Sequence, residues 1–134
     1  MPRVVEWTEP PQMDTGAPLP AVERVGDDLL IAYICAGSSG PDHSAVVRFS
    51  AVTSQHLGHP NDEALWQHRL YDSGLSHYAF WEVVDSPDIP VGSSQRQWIV
   101  TFHDETLEVI AASATVVARD VPGTDTSEIA RRYT

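Results

Sequence analysis

The chain has 134 residues, 42% of them hydrophobic and 20% charged, the size and composition of one globular domain rather than a disordered polymer. Nineteen acidic against eight basic side chains give a formal charge of -11, which repels phosphate backbones and anionic lipid surfaces and argues against nucleic acid and membrane as partners. No run approaches the roughly 20 apolar residues that cross a bilayer, and Met1 to Trp7 lacks a basic-then-apolar leader. The lone Cys35 offers no intrachain disulfide, so a cytoplasmic protein is expected.

Residues 1–20 carry Pro2, Pro10, Pro11, Pro18 and Pro20, half of all the prolines. Proline fixes φ and removes a backbone donor, so this stretch reads as an extended lead-in, with Val4, Val5 and Trp7 laid on the body as an edge strand. Residues 21–134 read as a single β domain. Val22 to Val25, a Gly26-Asp27 turn and Leu29 to Ala36 predict a hairpin whose second strand is central, because it is apolar on both faces. Gly37 to Asp42 is a loop by composition. Ala45, Val47, Phe49 and Ala51 alternate with polar residues and predict a half-buried strand.

Asn61 to His68 carries a capping residue and two acids at its start, with Gly74 beyond its end, and predicts one short helix over about residues 61–70. Leu75 to Val84 returns to strand composition, and Asp85 to Ser94 is a loop. Gln97 to His103 and Thr106 to Ala118 form a hairpin, and Thr126 to Tyr133 is a weak helix or tail. The pattern predicts a mainly β fold, an antiparallel sandwich or small barrel of five or six strands with one short helix. A compact α+β sheet is the alternative.

Three constellations carry chemistry. In the segment His56 to His68, imidazoles and carboxylates crowd thirteen residues, and the helix ends account for Asn61, Asp62, Glu63 and His68. His59 is left over, held by Pro60 and aimed as a site residue. In the hairpin, pairing Thr101 with Glu108 and Phe102 with Leu107 puts Trp98, Val100, Phe102, Leu107, Val109 and Ala111 on a core face. It also puts His103 diagonal to Glu108 on the other face. An imidazole beside a carboxylate is equipment for proton transfer. In the strand 75–84, Glu82 is a carboxylate between apolar neighbours, and a buried one must be paired or neutral. Tyr78, Phe80, Trp81 and Thr101 would line the ligand surface beside it.

His59 to Leu65, His68, Leu70-Tyr71, Gly74-Leu75, Tyr78, Glu82-Val83 and Thr101 to Glu108 together resemble a group of uncharacterised bacterial proteins, over about residues 20 to 115. In that group the segment matching 67–71 reads Gly-His-Pro-Leu-Tyr, so Gln67 and Arg69 depart from it. The resemblance implies a bacterial source and these segment boundaries, and it implies no activity.

The expected function is therefore small-molecule binding by a β domain, extending to cofactor-independent acid/base catalysis by His103, Glu108, His59 and Glu82. One alternative is an acidic interaction module of the inhibitor or immunity type for a basic protein. Another is a metal-dependent site using His59, His103 and a carboxylate. No cofactor signature is present, and whether the chain is an enzyme is left open, as is its oligomeric state.

Overall fold

The computed structural model describes residues 1–16, 20–37 and 42–134. Two open antiparallel sheets stack face to face. The first orders its strands β1-β6-β7-β8-β5 and the second β2-β3-β4-β9. In chain order the strands are β1 (Arg3–Glu6), β2 (Ala21–Val25), β3 (Asp28–Ile34), β4 (His43–Ser50), β5 (Ser54–Gly58), β6 (Phe80–Val84), β7 (Arg96–Thr101), β8 (Thr106–Ala111) and β9 (Ser113–Pro122). The fold is thus the antiparallel sandwich, not α+β, with nine strands among the described residues. The longer count arises because the lead-in and the 52–58 stretch each add a short strand, and the stretch expected as one strand over 106–118 divides into β8 of the first sheet and the ten-residue β9 of the second.

Period-two alternation builds three cores. Between the sheets lie Leu29, Ile31, Tyr33, Cys35, Ala45, Val47 and Phe49 from the second sheet, against Phe80, Trp98, Val100, Leu107, Val109 and Ala111 from the first. The opposite parity of β3 and β4 points Leu30, Ala32 and Val46 outward, where Ile129 and Ala130 of α1 (Thr126–Arg132) cover them. Asp125 caps α1 by accepting the Glu128 N–H, so the weak tail is a helix fixed by burial as much as by propensity. On the far side of the first sheet, Val4, Trp81, Val83 and Ile99 pack under Leu65, Leu70 and Leu75.

The lead-in is part of the body. β1 pairs with β6 in the register Val4↔Val83, and Met13 bridges Cys35. The sides of the sandwich are tied by Arg24 on β2, which donates to Gln55 on β5 at 2.8 Å, and by Arg119 on β9, which donates to the Glu9 carbonyl at 2.6 Å. The loop expected over Gly37 to Asp42 lies mostly outside the described residues.

Three expectations are corrected. The helix over 61–70 is a 3-10 turn, Asp62–Gln67, followed by a second, Tyr71–Ser73. Asn61 does cap it, accepting the Ala64 N–H, but the chain leaves helical geometry at His68, where ψ is 137°. The strand over 75–84 begins only at Phe80, because Tyr78 adopts a left-handed φ of 55° that no strand accommodates. The β7–β8 register is Thr101↔Thr106 and Ile99↔Glu108, two residues away from the expected pairing. A slip of two keeps every side chain on its face, so the core face holds while the diagonal His103–Glu108 pair is lost.

Candidate functional site

The outer face of the first sheet is covered only in part. The turns of 62–75 close one half over Ile99, Trp81 and Val83. The other half stays open as a groove of about 720 Å³. Its floor is the outward parity of three strands: Ser54 and His56 from β5, Glu108 and Ile110 from β8, and Gln97 from β7. Arg69, just past the first 3-10 turn, forms one wall, and Asp88, Pro90, Ser93 and Gln95 of the 85–95 loop form the other.

Glu108 organises this groove. Its Oε2 accepts from His68 Nε2 at 3.1 Å and from Arg69 Nη1 at 3.3 Å, while its Oε1 accepts from Arg69 Nη2 at 2.8 Å. His68 is buried, and its Nδ1 accepts the Leu70 backbone N–H at 3.0 Å. That contact leaves the ring proton on Nε2, where it is donated to Glu108. Burial opposes the Glu108 charge, but the His68 and Arg69 hydrogen bonds outweigh it and bring the carboxyl down to about 2. Arg69 reaches across the groove to Asp88 Oδ2 at 2.9 Å, and hydrogen bonding to Glu108 holds its guanidinium even more firmly protonated than usual. Gln97 Nε2 donates to the same Asp88 oxygen at 3.3 Å.

His56 faces Glu108 directly across the β5–β8 ladder. Its ring lies over Gly58, where a Cβ would come within 3.0 Å of it. Neither of its nitrogens is hydrogen-bonded to a described residue.

A second polar cluster sits at the opposite end of the first 3-10 turn, which at about 2.0 Å rise per residue separates it from the groove by roughly 12 Å. Asp62 Oδ2 accepts from His103 Nδ1 at 2.8 Å and from the Tyr78 hydroxyl. His77 Nε2 donates to the Asp62 carbonyl at 2.8 Å, and the Asp62 N–H donates to the His103 carbonyl at 3.0 Å. The Tyr78 hydrogen bond, with help from His103, lowers the Asp62 carboxyl below its ordinary range despite partial burial. The same bond pushes the Tyr78 hydroxyl up to about 12. The result is a latch joining the β7–β8 turn, the 76–79 loop and the start of the 3-10 turn.

The residues expected to act together are therefore dispersed. Glu108 is in the groove; His103 is in the latch. Glu82 makes a two-pronged ion pair with Arg96 at 2.7 and 2.8 Å, and Arg96 lies 5.0 Å above the Trp98 ring. His59 is exposed beside Pro60. Tyr78 belongs to the latch. Phe80, Trp81 and Thr101 are buried, and none of the three lines the groove. Thr101 Oγ1 instead donates to the Ser76 carbonyl at 2.8 Å and accepts from Ala79 N and Trp81 Nε1 at 3.2 Å, pinning the 76–79 loop to β7. Among the described residues no group of three His, Cys, Asp or Glu side chains is arranged to hold a metal ion, and none of the described helices is long and apolar enough to cross a membrane.

His56, His68, Arg69 and Asp88 were not legible as a set, because 19 to 40 residues of chain separate the groups that meet at Arg69 and Glu108. The one local signal is His68, an imidazole followed by Leu70 and flanked by buried Leu65, in a segment too short to be a stable helix. Comparison with known protein families, curated proteins and solved structures finds no match.

Proposed function

We propose that this chain is a small-molecule-binding β domain whose ligand occupies the groove between Arg69, the β5–β8 floor and the 85–95 loop. The observation that carries this reading is the convergence there of a fixed Arg69–Glu108–Asp88 network with hydrogen-bonding side chains and the unengaged His56. Binding sites combine a cavity of several hundred Å³ with a few well-placed polar groups, and the rigid network keeps the cost of ordering low. His56 is the group that would serve a proton transfer, with Glu108 held as a carboxylate opposite it. A bacterial source rests on the sequence resemblance, and a cytoplasmic setting on the single Cys35, which can form no intrachain disulfide and whose buried thiol is pushed up to about 11, first by burial and then by Asp120.

The test is saturation-transfer NMR with a fragment set of polar neutral, cationic and anionic compounds, on the native chain and on Ser54→Trp, whose indole obstructs the groove floor. Fragments that bind the native chain and are lost in the variant support the reading. Binding that survives the obstruction undiminished, or no binding, removes it.

A second reading is an acidic interaction module for a basic protein. Trp66, 64% exposed on the first 3-10 turn beside Glu63, is the observation in its favour, since exposed Trp residues anchor interfaces.

A further inference from the structure

We infer that the groove's ligand carries a protonated amine, seated on Asp88, on a hydroxyl-rich scaffold, as an amino sugar does. This rests on the groove reading above and names the chemistry of its occupant.

Charge comes first. The groove lining holds one guanidinium between two carboxylates, with the His56 imidazole on its floor, and the chain as a whole carries -11. A cleft in which acidic groups outnumber the one guanidinium, on a chain of that net charge, favours cations over anions.

The free valences decide where the cation sits. Glu108 is spent: both of its oxygens are taken by His68 and Arg69, and its side chain is only 18% exposed. An anionic ligand that took the Arg69 N–H groups engaged by Glu108 would leave that half-buried carboxylate short of a partner, which is costly, and one that took the remaining N–H groups would sit beside the Asp88 carboxylate. Asp88 differs. Its Oδ2 accepts from Arg69 and Gln97, its Oδ1 has no hydrogen bond to a described residue, and its side chain is 41% exposed toward the groove. A carboxylate oxygen with open lone pairs at the rim is the natural partner for an ammonium group, through a charge-assisted hydrogen bond.

The neutral lining selects the scaffold. Ser93 Oγ accepts the Gln95 N–H at 3.1 Å, so its hydroxyl proton is free to donate outward. Ser54 on the floor and Gln95 on the loop wall add a further hydroxyl and amide. Side chains that both donate and accept match ligand hydroxyls, which do the same. Pro90 and Ile110 offer small apolar patches for the carbon faces between them.

The experiment compares three matched trisaccharides by amide NMR titration of the full chain at low salt and about pH 6: the glucosamine trimer, maltotriose and trigalacturonate. The expected result is that the glucosamine trimer shifts the Ser54, Gln95 and Gln97 amides and binds at least about tenfold more tightly than maltotriose, with trigalacturonate inert. Asp88→Asn should erase the advantage of the amine over maltotriose while its amide spectrum stays dispersed.

Equal or tighter binding of maltotriose, or a preference for trigalacturonate, overturns the amine and leaves the groove as a binding site. An amine advantage that survives Asp88→Asn also overturns the assignment, because the attraction then comes from net charge alone. If none of the three shifts the groove amides, the inference falls, and the Ser54→Trp comparison decides separately whether the groove binds anything. The contrast among native-chain ligands stands whether or not the variant folds.

Discussion

His68 accepts the Leu70 N–H at one nitrogen and donates to Glu108 from the other, so a buried imidazole, a carboxylate and a guanidinium hold one another in a single arrangement. Glu108 is depressed to about 2 from an ordinary 4.5. A carboxyl with a lowered folded-state pKa adds stability above its unfolded value, and that contribution is lost as pH falls through the folded one. For Glu108 the window runs from about pH 4.5 down to about pH 2, and the contribution at neutral pH is of order 3 kcal/mol. Urea unfolding of the native chain and of Glu108→Gln should therefore show the variant less stable by about 2 kcal/mol at pH 7. The gap should narrow as pH falls toward 2, because other carboxyls titrate alike in both chains. A gap that is constant with pH would mean that Glu108 contributes by packing and not by charge.

The turns of 62–75 carry both polar clusters although they contain no α-helix. Their seat on the sheet depends on Gly74, which ends the second 3-10 turn at φ 118° and passes so close to β1 that an added Cβ would lie 2.8 Å from the Val4 carbonyl oxygen. Gly74→Ala combines a backbone conformation that L-residues avoid with a clash against the main chain, so one of the two elements must move. The expected cost is about 1 to 3 kcal/mol, read as a lower melting temperature. Faster hydrogen exchange at the β1 amides that bond to β6 should accompany it. A variant as stable as the native chain, with β1 equally protected, would show that the 3-10 segment is not seated through this contact.

Both sheets are covered on their outer faces, and the two covers have different jobs. α1 packs Ile129 and Ala130, which are 1% and 0% exposed, onto Leu30, Ala32 and Val46 of the second sheet. The 62–75 turns leave half of the first sheet open and so create the groove. Ile129→Ala should cost roughly 2 to 5 kcal/mol, the range for emptying a buried aliphatic site, measured by denaturant unfolding. Ligand shifts in the groove should be unchanged, because the lesion lies across the whole sandwich from it. Loss of groove binding in a folded Ile129→Ala chain would contradict that separation.

Local periodicity carried much of the architecture. Alternation in 96–111 sorted Trp98, Val100, Leu107, Val109 and Ala111 onto the core face, and the apolar run 29–36 marked the internal strand, because side-chain direction along a strand follows from sequence parity alone. Asn61 announced a helical start for the same local reason. Register and partnership were not local. A two-residue shift at the Phe102–Glu105 turn conserves parity and leaves the hydrophobic pattern unchanged, yet it moves His103 from Glu108 to Asp62. The groove is further still from the sequence: Arg69, Asp88 and Glu108 meet only once β8, the 85–95 loop and the 3-10 turns are stacked. Burial is encoded by the period of the chain, whereas the pairing of charges is set by distances across sheets and loops that exist only in the folded protein.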